Sequence, residues 1–230
     1  MAQTISVTRH GERASAKVAL TFDDGPNPFF TEKFLDILKT EGCSATFFLI
    51  GRFAEKYPEL VTRIFADGHT IGGHTYTHGG DQDQQTCADF CKGNETLARI
   101  TGHPVKYLRV PGFGYSRPDS AGCRASEILG VLNAKILTRE LMVVDHDGVI
   151  GNDWDYHRVT PESIHIQVLQ KCQNGSIIDL HDGSHRSHEM SFRPGNTLEA
   201  LPRIIRDLRS RGFQMVDLDS LSLQFEEVVV

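Results

Sequence analysis

Two short strings in this chain carry residue types that could do chemistry together. Thr21-Phe22-Asp23-Asp24-Gly25-Pro26 sets two carboxylates side by side at the end of an apolar run. His74-Thr75-Tyr76-Thr77-His78 sets two imidazoles at positions i and i+4. One carboxylate with two imidazoles is a ligand set for a divalent metal of borderline hardness, zinc first, with cobalt, nickel or manganese as alternatives. The remaining carboxylate is then free to move a proton. Taken singly, Asp-Asp-Gly-Pro is equally good turn chemistry, and two spaced histidines are ordinary surface residues. The i, i+4 spacing puts them on one face only if the segment is helical. Taken together, the strings point to a metal-assisted hydrolase.

Downstream residues add to the set. His181-Asp182 follows the apolar run 176–180, where a proton donor facing Asp23 across the metal would stand. Arg109 and Pro111 close another apolar run, and Asp153-Trp154 follows a third. An arginine beside a carboxylate holds it ionised and oriented. An aspartate beside His181 would keep that ring protonated to higher pH. By themselves Arg109 and Asp153 would read as a structural ion pair. His185 and His188 read more simply as a polar loop than as a second metal or substrate contact.

The elements that must position these residues follow from periodicity. Apolar runs at 18–22, 45–50, 69–71, 106–110, 141–145, 176–180 and 213–216 predict strands. Amphipathic stretches at 31–40, 53–67, 84–100, 120–129, 161–173 and 197–211 predict helices, several ended by glycine. Strand–helix alternation argues for parallel strands with helices outside them. Seven or so strands in 230 residues favour an α/β fold of the (β/α) barrel type, with 7–8 strands and either complete or incomplete. No repeat or linker divides the chain, so a single domain over 1–230 is expected, with its core at about 16–218. In such a barrel the C-terminal ends of the strands form the active face, which brings Asp23, Asp24, His74 and His181 to one mouth. The tail 228–230 reads as either frayed or a partner strand.

Composition narrows the function classes. The net charge of −6, with no recurring basic cluster, makes nucleic acid a poor partner. No stretch approaches the roughly 18–20 apolar residues that span a bilayer. The start Met1-Ala2-Gln3-Thr4 lacks a signal-peptide pattern, so the expected location is cytoplasmic, or secreted if a leader has been removed. Five cysteines form no CxxC pair and read as reduced thiols. A monomer is expected.

The ordered set Thr21–Pro26, His74–His78, Arg109-Val110-Pro111, Asp153-Trp154 and Leu180-His181-Asp182 resembles the five motifs of the polysaccharide deacetylases, carbohydrate esterase family 4. The stretch 20–30, with Asn27-Pro28, is most similar to the nodulation-type chitooligosaccharide deacetylases. The resemblance implies a distorted (β/α) barrel. It implies Asp24, His74 and His78 as metal ligands, Asp23 as general base, and His181 as general acid. It further implies Arg109 and Asp153 as supports of the base and the acid. Pro111, Gly112, Phe113, Trp154 and Leu180 would line the substrate site. The implied substrates are acetylated glycans: chitin or chitooligosaccharides first, then peptidoglycan or acetylxylan, with a non-catalytic glycan-binding protein as the rival class. Three departures stand out. Gly112-Phe113-Gly114 replaces the usual aromatic-glycine after Arg-x-Pro. Ile150 stands where the family often carries an aspartate three residues before Asp-Trp. The arginine expected three residues after the tryptophan comes one place late, at Arg158.

Overall fold

The computed structural model describes residues 4–79, 87–113, 142–144, 148–155, 157–185 and 194–229. Among these, nine strands form one sheet. They are β1 (Thr4–Gly11), β2 (Lys17–Gly25), β3 (Thr46–Leu49), β4 (Thr70–Gly73), β5 (Tyr107–Leu108), β6 (Met142–Val144), β7 (Ile177–His181), β8 (Gln214–Val216) and β9 (Leu223–Val229). Their order is β7-β2-β3-β4-β5-β6-β1-β9, with β8 pairing to β2. The pairings are parallel except β1 with β9. Helices α1 (Thr31–Glu41), α2 (Gly51–Lys56), α3 (Pro58–Ala66), α4 (Cys87–Thr101), α5 (Pro161–Lys171) and α6 (Gly195–Ser210) fall between strands, as a parallel sheet requires. Beyond β6, Ile150 makes a parallel bridge to Asp179 of β7. There Asp179 N donates to Val149 O at 2.9 Å, and Gly151 N donates to Asp179 O at 3.1 Å.

Side-chain alternation along the strands separates packing from chemistry. On β2, Val18, Leu20 and Phe22 face the helices and join Ile178 and Leu180 of β7 in the main core. Phe22 meets Phe34 of α1 edge-on at 5.2 Å and stacks on Phe47 of β3 at 5.1 Å. Helix α6 adds Ala200, Leu201, Ile204, Ile205 and Leu208, whose i, i+4 spacing forms one apolar stripe. The other face carries a smaller apolar cluster that includes Ala19, Phe48, Tyr107, Val144 and Ile177. Thr21 and Asp23 on β2, and Asp179 and His181 on β7, share the parity of Ala19 and Ile177. They therefore continue that face into a polar layer.

Several elements differ from the sequence reading. The helix expected over 53–67 is two helices, because Pro58 opens α3 and Tyr57 between them leaves helical geometry at φ −130° and ψ 59°. β1 and β9 were not expected. Both lie outside 16–218, and their antiparallel ladder runs from Thr4 opposite Val229 to Gly11 opposite Leu223. Val228 and Val229 are thus paired within the chain. The helix expected over 120–129 lies outside the described residues. Cys43, Cys91 and Cys172 are free thiols. No helix among the described residues is long and apolar enough to cross a membrane.

Candidate active site

Consecutive residues of a regular strand face opposite ways, so Asp23 and Asp24 should not serve one site. The end of β2 breaks the rule. Its register against β3 shifts between Asp23 and Gly25, and Asp24 has a left-handed φ of 71°. Both carboxylates consequently approach one ring: His74 Nε2 lies 3.7 Å from Asp23 Oδ2 and 3.5 Å from Asp24 Oδ1. Gly183 packs against this bend so closely that a Cβ there would lie 2.2 Å from the Asp24 carbonyl oxygen. Both carboxylates and His74 are almost fully buried.

His74 and His78 reach the mouth without a helix. The segment after β4 is a loop with left-handed Thr75 (φ 64°) and His78 (φ 69°), and His78 N donates to Thr75 Oγ1 at 2.7 Å. The rings end 5.0 Å apart, with His78 Nε2 at 3.2 Å from Asp24 Oδ1.

The donor set can be tested for a cation. Burial pushes His74 down to about 4 and His78 down to about 3, so both rings are neutral at pH 7. His74 Nδ1 lies 2.9 Å from the Arg109 carbonyl oxygen, which can only accept, so the proton sits on Nδ1. The Nε2 lone pair then points at Asp24. Burial alone would raise Asp24, but His78, the bond from His185 and the charge of His181 hold it well below the usual carboxylate range. Asp24 Oδ1 is buried and makes no hydrogen bond among the described residues. Lone pairs of His74 and Asp24 therefore face each other across 3.5 Å, an arrangement that a divalent cation between them relieves. The residues fit a metal.

His185 belongs to this cluster too, although the sequence reading made its loop a plain polar one. Its main-chain N donates to Asp24 Oδ2 at 3.2 Å and its Nδ1 lies 3.3 Å from the same oxygen. Asp24, His78 and His185 can bring ligand atoms within 4.8 Å of one another. Yet the His185 ring stacks on His78, 4.1 Å between centroids and 9° from parallel. In that stack the His185 Nδ1 is turned to Asp24 Oδ2. As placed, His185 steadies Asp24 and covers His78 rather than completing the ligand set.

Behind the carboxylates lies a second hydrogen-bonded network. Arg109 Nη1 donates to Asp23 Oδ1 and Thr21 Oγ1, each at 2.8 Å, and to Asp179 Oδ1 at 3.1 Å. The guanidinium rests on the Phe48 ring, 4.3 Å from its centroid. Burial pushes Asp23 up to about 6, against the pull of Arg109 and His181, which suits a base at neutral pH. Asp153 receives His181 N at 2.8 Å, His181 Nδ1 at 2.9 Å and Thr197 Oγ1 at 2.7 Å. Burial disfavours a charged His181, but the Asp153 pair outweighs it and raises the ring well above 6.5. The register of β2 and β7 sets Asp23 opposite His181 and Thr21 opposite Asp179.

The structure thus brings together Asp23, Asp24, His74, His78, Arg109, Asp153 and His181. Trp154 is half exposed beside Asp153, and Pro111 and Gly112 form a turn after Arg109. The side chain of Phe113 lies outside the described residues. Leu180 is fully buried on the helix side, where Gly151 leaves room between it and Ile164. Asp179 was missed. Its signal was a lone acid in the otherwise apolar run Ile177-Ile178-Asp179-Leu180.

The family model for polysaccharide deacetylase matches residues 10–125 of this chain. The chain belongs to the polysaccharide deacetylase family. A chitooligosaccharide deacetylase of Azorhizobium caulinodans is 34% identical over 88% of this chain and 93% of its own. The peptidoglycan N-acetylglucosamine deacetylase Bc1960 is 32% identical, with a TM-score of 0.77 over 94% of this chain and 92% of its own. A family 4 acetyl xylan esterase from Clostridium thermocellum, solved with a cobalt ion, is 29% identical, with a TM-score of 0.70 over 89% of each chain.

Proposed function

We propose that this polysaccharide deacetylase removes N-acetyl groups from N-acetylglucosamine-containing glycans, chitooligosaccharides first. The observation that carries the reading is a buried carboxylate, Asp23, set cross-strand from His181, whose ring is paired with Asp153, beside a donor set that fits a cation. Asp24, His74 and His78 would hold the divalent metal, with zinc the first expectation. Bound there, the ion would supply Lewis acidity toward the acetyl carbonyl and toward a water. Asp23 takes the proton of the attacking water, and Arg109 fixes the carboxylate oxygen that does not face the site. His181 protonates the departing amine, which leaves poorly without a proton. Asp153 keeps that ring charged and oriented beforehand. Pro111, Gly112 and Trp154 would line the sugar site.

The catalytic unit is proposed to be the whole chain as one domain, with β1 and β9 widening the expected core. The Ile150–Asp179 bridge supports a barrel-like closure between β6 and β7. A monomer in the cytoplasm, or a secreted form if a leader precedes the chain, completes the reading.

The test is mass spectrometry of products from N-acetylglucosamine oligomers of defined length, run beside peptidoglycan fragments and acetylxylan. Loss of 42 mass units per acetyl group from the oligomers is expected, abolished by chelation and restored by a divalent ion. Acetate release from acetylxylan alone, or full activity in excess chelator, would overturn the proposal.

A further inference from the structure

Arg109 Nη1 carries two hydrogens but faces three acceptors: Thr21 Oγ1, Asp23 Oδ1 and Asp179 Oδ1. Thr21 already donates its own hydroxyl to Ile178 O at 2.8 Å, so toward Arg109 it can only accept. Asp179 is almost fully buried, on the strand that carries His181, in a position no packing argument explains. A carboxylate removed from water is costly unless paired. One of its partners is the guanidinium that also holds the base.

We propose that Asp179 is a positioning residue for the deacetylation, acting through Arg109 to hold Asp23. Without it, Arg109 would be free to close fully onto Asp23, tying up the oxygen that must accept a proton and pulling the carboxylate off its line to the metal site. With it, the guanidinium is shared between two strand partners and stays over Phe48. The neighbouring strand segment indicates how such a carboxylate could be moved. Ile150 is the direct partner of Asp179 across a parallel bridge. Residues so paired project from the same face, so a carboxylate at position 150 would start from the adjacent site and could reach the same arginine.

The inference rests on the proposed role of Asp23, and the experiment separates the two. Steady-state deacetylation of an N-acetylglucosamine oligomer is measured for the wild type, Asp23→Asn, Asp179→Leu, Asp179→Asn and the double variant Asp179→Leu/Ile150→Asp. Zinc affinity of the metal-free proteins is measured alongside by competition with a chromophoric chelator. Asp179→Leu and Asp179→Asn are expected to lose kcat by about 10²-fold, the cost of misplacing a reacting group by about an ångström. KM and zinc affinity should stay within about threefold, because neither contact to metal nor to sugar is removed. The double variant is expected to recover most of the lost kcat. Asp179→Asn is isosteric and covers the case in which Asp179→Leu does not fold. If Asp23→Asn is inactive while Asp179→Asn keeps wild-type kcat, the inference is wrong. It is equally wrong if the double variant folds, binds zinc normally and recovers nothing. Full activity of Asp23→Asn would instead overturn the assignment of the base.

Discussion

The two halves of the site are built in opposite ways. The half proposed to transfer protons stands on ladder register: Thr21, Asp23, Asp179 and His181 are cross-strand partners on β2 and β7, one face of a parallel pair. The half proposed to hold the metal stands on departures from regular backbone: left-handed Asp24, Thr75 and His78, and a β-bulge. The contrast follows from what each half must do. Proton transfer needs groups fixed relative to each other, which a hydrogen-bonded sheet supplies. A metal needs donors converging from several directions, and strands alone deliver side chains only perpendicular to the sheet. Left-handed non-glycine residues cost free energy and persist where the surroundings over-determine them. Here Gly183 and the Thr75 hydroxyl supply part of that constraint.

Variants that separate the halves would break or sharpen this contrast. The largest effect belongs to the ligands. His78→Ala and Asp24→Ala should abolish both metal uptake and acetate release, measured by metal analysis after dialysis and by an acetate assay. Retention of one equivalent of zinc by either variant would place the metal elsewhere. Next comes the charge on His181. Asp153→Asn should leave metal content intact and lower the rate, and it should move the alkaline limb of the kcat–pH profile to lower pH. The sign follows from the roles: His181 must be protonated to donate, and Asp153 is what raises it above 6.5. Asp23 gives the acid limb. It must be ionised to accept, so activity should fall as pH drops through about 6 or lower, since a bound cation favours the carboxylate. The smallest effect is reserved for His185. Its ring bond to Asp24 is long at 3.3 Å, so His185→Ala should weaken zinc affinity by about fivefold or less, read by chelator competition. A loss of several hundredfold would mean that the ring rotates out of its stack and serves as a true ligand.

The same division decides how much could be read from sequence. The strands were legible because alternating and continuous apolar runs report burial directly, and Asp23 and His181 were found by standing at the ends of such runs. The metal half was legible as a motif but not as a conformation. The i, i+4 spacing of His74 and His78 suggested a helix face, whereas the chain achieves the convergence with a loop that has no periodicity to detect. Asp179 escaped because an acid inside an apolar run reads as an interruption until its partner Arg109, 70 residues away in sequence, is folded against it. β1 and β9 escaped because each needs the other: their ladder joins the two ends of the chain, and neither Ile5-Ser6-Val7 nor Leu223-Gln224-Phe225 is apolar enough to declare a strand alone. Pro58 is the helix-starting residue at the break, and the apolar period running through it masks that signal in the sequence.

The central claim is that adjacent carboxylates hold separate offices, Asp24 the metal and Asp23 the proton. Asp23→Asn tests it most directly, with zinc content and acetate release from an N-acetylglucosamine oligomer measured on the same preparation. The variant should hold one zinc with wild-type affinity to within about tenfold and show a rate reduced by about 10²–10⁴-fold, the range for loss of a general base. A variant that has lost its zinc, or one that keeps its zinc and deacetylates at the wild-type rate, would contradict it.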